Sequence, residues 1–147
     1  MEQTVLALVG VIVGGAITLW TQSQGYKFLR QDRRGTGVLD SATTVISLAE
    51  DYKNRMWEER NGLSSGAIES WDIARSADAH TRLRLLSNDE ALHAASKDLK
   101  ASGTRLGKAW RLTRIDGPEV EDAWQDYKRA LDAFTAAAGV EVQRQYR

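Results

Sequence analysis

The apolar residues of this chain follow two different patterns. From Val5 to Trp20 the chain reads VLALVGVIVGGAITLW, apolar on every side, with only glycines and Thr18 between large side chains. From Val38 onward apolar residues recur every three or four positions, the spacing of helices with one buried face. Val38, Ala42, Val45, Ala49, Tyr52 and Met56 follow a 4-3-4-3-4 rhythm, which predicts a helix to about Arg60. Asn61-Gly62 and Ser64-Ser65-Gly66 predict a turn. A helix over roughly Ala67 to Leu86 carries a weaker face of Trp71, Ala74, Ala77, Thr81 and Leu85. Ser87-Asn-Asp-Glu90 reads as a capping box for the next helix, with Ser87 accepting from a first-turn amide. That helix runs to about Arg114, with Leu92, Ala95, Leu99, Ser102, Leu106 and Trp110 on one side. After Asp116-Gly117-Pro118 the last helix presents Val120, Trp124, Tyr127, Leu131, Phe134 and Ala138, again spaced 4-3-4-3-4. Short connections force antiparallel neighbours. The expected fold is therefore all-α: a single N-terminal transmembrane helix followed by an antiparallel four-helix bundle.

The first segment decides the domain layout. No charge occurs between Glu2 and Lys27. Sixteen helical residues rise about 24 Å, enough to cross a hydrocarbon core of about 30 Å once the flanking threonines and glutamines reach the headgroups. A cleaved leader needs a basic start and a small-residue cleavage site, and Met-Glu-Gln and Trp20-Thr21-Gln22 supply neither. The layout reads as an anchor over 1–25, a basic juxtamembrane linker over 26–37 that Gly35 and Gly37 set apart from the next helix, and a helical bundle over 38–147. Lys27, Arg30, Arg33 and Arg34 follow the span, so the positive-inside rule places the N-terminus outside and the bundle in the cytoplasm. The same four side chains are candidates for anionic lipid headgroups, beyond their part in setting topology. Within the span Gly10, Gly14 and Thr18 form a small-residue face on which two helices can pack closely, so a homo-oligomer through this helix is a candidate.

Composition narrows the chemistry. The 147 residues hold 20 bases and 20 acids, no cysteine, one proline and five tryptophans. Without cysteine there is no disulfide, no thiolate metal site and no thiol nucleophile. A net charge of zero argues against a nucleic-acid partner bound by a globally basic surface. The mean hydropathy of −0.43 resembles that of a soluble chain only because it averages an apolar anchor with a charged bundle.

No catalytic constellation is legible. Glu90-x-x-His93 matches half of a di-iron carboxylate pattern, but His80 is preceded three residues earlier by Ala77, so the second half is missing. No phosphate-binding glycine loop and no nucleophile elbow occurs, and no cofactor is expected. Charge patterning is more informative. Lys100, Arg105, Lys108, Arg111 and Arg114 follow one another with no acid among them, and Glu119, Glu121, Asp122 and Asp126 open the next helix. The structural reading is that the two groups suit the helix dipoles and pair across the turn. The functional reading makes Lys100, Arg105, Lys108 and Arg111 an anion or partner patch. Trp71, Trp110 and Trp124 are expected in the core, with Trp57 at the end of the first seam.

The glycine-rich N-terminal anchor, the basic stretch after it, Leu83-Arg-Leu-Leu86 before Asp89-Glu90-Ala91, and Phe134-Thr-Ala-Ala-Ala138 together resemble short membrane-anchored helical proteins of actinobacteria and their phages. The resemblance implies an anchor-plus-bundle layout and no activity. The expected function is a membrane-anchored, non-catalytic helical bundle serving as an interaction or scaffold module at the cytoplasmic face, with an unidentified protein partner. The alternative is a phage or prophage membrane-active effector that oligomerises in the envelope.

Overall fold

The computed structural model describes residues 33–113 and 117–147. The chain divides into two compact units, Met1–Arg34 and Gly35–Arg147. The expected span, with Gly10, Gly14, Thr18, Lys27 and Arg30, lies outside the described residues. Among the described residues no helix is long and apolar enough to cross a membrane.

The second unit is built from four helices, with no strand among the described residues. They are α1, which in this unit covers 35–60 and is described from residue 33, α2 (Ile73–Leu86), α3 (Glu90–Leu112) and α4 (Pro118–Gln145). Side-chain contacts fix their directions. Tyr127 of α4 donates its hydroxyl to the Ala49 carbonyl of α1, and Arg60 at the end of α1 pairs with Glu121 at the start of α4. Gly37 of α1 lies against Leu86 at the end of α2, and His80 of α2 meets Ser96 of α3. Consecutive helices therefore run antiparallel, and α4 returns to lie beside α1.

The core is the pair of seams legible in the sequence. Val38, Ala42, Val45, Ala49, Tyr52 and Met56 are all buried on α1, and Val120, Tyr127, Leu131, Phe134 and Ala138 on α4. α3 adds Leu92, Leu99, Ser102 and Leu106, while Ala95, Trp110 and Trp124 pack at the margin. A fully buried leucine or phenylalanine contributes roughly 1.5–3 kcal/mol, so these seams supply most of the drive to fold. Tyr52 stands at their crossing, its ring 4.8 Å from Trp71 and 5.6 Å from Tyr127. Trp57 is half exposed, beyond the end of the first seam.

Three local expectations are corrected. The helix does not start after Gly37 but runs through Gly35 and Gly37, because both glycines sit where other elements come close. A Cβ at Gly37 would lie 3.0 Å from Leu86, and one at Gly35 would lie 3.5 Å from Tyr146. α2 starts at Ile73, not near Ala67. Asp72 accepts from the Arg75 amide and sets the helix start, while Arg55 and Glu59 of α1 hold residues 67–70 as an irregular turn. Trp71 consequently precedes the helix, and its indole donates to the Leu48 carbonyl. The buried face of α2 is Ala79, His80 and Leu83; Ala74, Ala77 and Thr81 are exposed, and Leu85 is 73% exposed. Finally, Ser87 does not cap α3. Asp89 does, accepting from the Leu92 amide.

Two helical glycines separate packing from helix propensity. A Cβ at Gly139 would meet nothing within 4 Å, whereas one at Gly107 would stand 2.9 Å from the Tyr52 hydroxyl, on a ring that Trp71 and Tyr127 hold in place. Gly139→Ala is expected to stabilise the fold by about 0.5–1 kcal/mol through helix propensity. Gly107→Ala is expected to lower stability, and Tyr52→Phe in the same chain to return part of the loss. Urea unfolding followed by circular dichroism measures all three.

Candidate functional site

Two polar centres flank the turn between α2 and α3. The first is a buried network. Extending the α4 seam one step past Ala138 reaches Glu141, a carboxylate only 3% exposed. Its Oε1 accepts from the Ser87 hydroxyl at 2.9 Å and from Gln145 Nε2 at 2.8 Å, and its Oε2 lies 3.3 Å from the Arg144 guanidinium. Arg144 also reaches Asp89 at 2.6 Å. The Leu92 amide and then Arg144 hold the Asp89 carboxyl below its usual range. Ser87, which ends α2, and Asp89, which begins α3, are thus both fastened to the end of α4. The seam rhythm pointed to position 141, but a carboxylate there gave no apolar signal to follow.

The second centre is an open groove of about 370 Å³ between α2 and α3. His93, Ser96, Lys97 and Lys100 stand at i, i+3, i+4 and i+7 on α3, one stripe of that helix. His80, Thr81 and Arg84 face them from α2, with buried Leu83 beneath. No carboxylate lines the groove. The His93 ring donates from Nε2 to the Ser87 carbonyl at 2.8 Å, so its orientation is tied to the same turn.

His80 Nδ1 lies 2.7 Å from Ser96 Oγ, a separation that also serves a base and a nucleophile. Burial first, and the nearby Lys100 charge second, push the His80 pKa down to about 4. A base that weak holds few protons to exchange near neutrality, and no carboxylate among the described residues orients its other nitrogen. The pair is suited to shaping the groove rather than to driving acyl transfer. Among the described residues no group of three or more His, Asp or Glu side chains is placed to hold a metal ion.

The four residues of the expected patch, Lys100, Arg105, Lys108 and Arg111, are all exposed on α3. Lys100 lines the groove. Arg105 stands 4.0 Å from Asp126 on α4, and Arg111 donates to its own helix at the Gly107 carbonyl. Lys108 is exposed without an ion pair among the described residues. Among the described residues, Arg105 alone of these bases pairs across to the start of α4, and Glu121 turns to Arg60 of α1. Exposed pairs of this kind contribute at most about 1 kcal/mol. Arg33 and Arg34, the described members of the juxtamembrane set, are exposed. Sequence reasoning missed Arg84 and Lys97. Their register on facing helices emerges only once α2 is seen to bury Ala79, His80 and Leu83.

Comparison with protein-family models, with curated proteins and with solved structures finds no match to this chain.

The depressed His80 pKa sets the sign of a pH effect. In the unfolded chain His80 takes up a proton near pH 6.5, while in the fold it resists until about pH 4. Protonation therefore favours the unfolded state over that window. Stability is expected to be full above about pH 6.5 and to fall as pH drops from there towards 4. This window lies above that of Asp89, whose contribution is lost only below the ordinary carboxylate range. Urea midpoints at pH 7 and pH 5 measure the drop, and His80→Gln is expected to flatten it.

Proposed function

We propose that this chain is a membrane-tethered, non-catalytic interaction or scaffold module whose helical unit stands at the cytoplasmic face. One observation carries the reading: the charge-free stretch over 3–26, with its apolar centre Val5 to Trp20, is followed by Lys27, Arg30, Arg33 and Arg34 and immediately precedes a compact four-helix unit. The sixteen-residue centre is stable in hydrocarbon with its polar flanks in the headgroups, and the cations after it favour the inner surface. Each cation near an anionic leaflet adds about 1 kcal/mol of attraction. The helical unit supports a binding role through its rigidity, since a buried network fastens its α2–α3 turn and a cationic groove opens beside it. Its partners in this reading are the bilayer, anionic headgroups and a protein that uses the exposed faces of the bundle.

Membrane fractionation tests the tether. The full chain is expected to stay in the membrane pellet through alkaline carbonate washing, and a chain lacking residues 1–34 to appear in the supernatant. Release of the full chain by carbonate overturns the anchor. A cysteine introduced at Gln3 is expected to react with an impermeant thiol reagent from outside the cell, and one introduced at Gln143 only after lysis. The reverse labelling overturns the orientation.

A further inference from the structure

Arg84 of α2 and Lys97 and Lys100 of α3 share one groove that no carboxylate lines. None makes an ion pair among the described residues. Of the acids nearby, Asp78 pairs with Arg82 and Asp89 with Arg144, while Glu90 and Asp98 of α3 do not line the groove. Three like charges around a cavity floored by Leu83 repel one another, and a small dianion seated between them would remove that repulsion. Arginine offers a planar fork to a tetrahedral oxyanion, while two lysines act as mobile point charges. The open groove of about 370 Å³ leaves room for a phosphate group between the three cations. The groove is short, with Arg84, Lys97 and Lys100 as its only Lys or Arg lining residues, which fits a single phosphate better than a strand of them.

We propose that the α2–α3 groove is a phosphate-binding site, with Arg84 as the fork and Lys97 and Lys100 as the flanking charges. The His93 ring, held by the Ser87 carbonyl, also lines the site. The proposal goes beyond the tether reading and does not depend on it, because the groove lies wholly within Gly35–Arg147.

The test uses the full chain, labelled with nitrogen-15, in maltoside micelles that contain no phosphate. It is titrated with inorganic phosphate and, separately, with dihexanoyl phosphatidic acid, each against sodium chloride of equal ionic strength. Saturable amide shifts concentrated over 80–84 and 93–100 are expected. Saturation by inorganic phosphate identifies a soluble phosphate ligand, and saturation by the lipid alone identifies a headgroup. Arg84→Gln with Lys100→Gln is expected to weaken binding about tenfold or more, Lys100→Arg to retain it, and Arg129→Gln to leave it unchanged. These side chains are exposed, and unchanged amide positions on α1 and α4 verify the fold of each variant. Shifts absent with both ligands, spread evenly over the surface, or equally strong in the double variant overturn the proposal. Failure of the anchor changes none of these readouts.

Discussion

A carboxylate buried at the end of a hydrophobic seam constrains the rest of this structure. Glu141 occupies the next core position of α4 after Ala138, and a buried ion is tolerated only where donors replace its water. Ser87, Gln145 and Arg144 supply them. Because Ser87 closes α2 and Arg144 also reaches the cap of α3, satisfying this one charge fixes where both helices turn. The register of α2 against α3 follows, and with it the groove. An apolar residue at position 141 would fill the same seam without specifying that turn.

The seams of α1 and α4 were readable because their apolar residues are large and regularly spaced, and every expected α1 position is buried. α2 was not readable for the opposite reason. Its buried side chains are one alanine, one histidine and one leucine, while Ile73 and Leu85 are 70% and 73% exposed. A face scored by hydrophobicity therefore points to the wrong side. The histidine is buried because Ser96 and the ring of Phe134 receive it, partners that lie on other helices and have no local signature. The same limit hid the groove. Lys97 and Arg84 each look like an ordinary solvated charge until the facing stripe is known.

Caps show the competition at close range. Ser87 and Asp89 both favour a helix start, and both lie within reach of a first-turn amide in sequence. The structure gives the cap to Asp89 because Ser87 is needed by Glu141, a contact 54 residues away in the chain. A tertiary demand thus decides between two locally adequate choices.

The groove's two walls are not equally held. α3 buries Leu92, Leu99, Ser102 and Leu106 along its length and packs closely against α4. α2, 14 residues long, is held mainly by Ala79, His80 and Leu83 and by the fastening at Ser87. Local opening costs least where the fewest apolar contacts are lost, so of the two walls α2 is the cheaper to displace. Arg84 sits on that wall, only three residues before the Ser87 anchor point, where adjustment is smallest. The cation best suited to orient an oxyanion is therefore placed at the fastened end of the more thinly packed wall, and Lys97 and Lys100 meet it from the more deeply packed side. The buried, neutral His80 between them keeps a fourth charge out of the groove near neutrality, which limits the repulsion the empty site must bear.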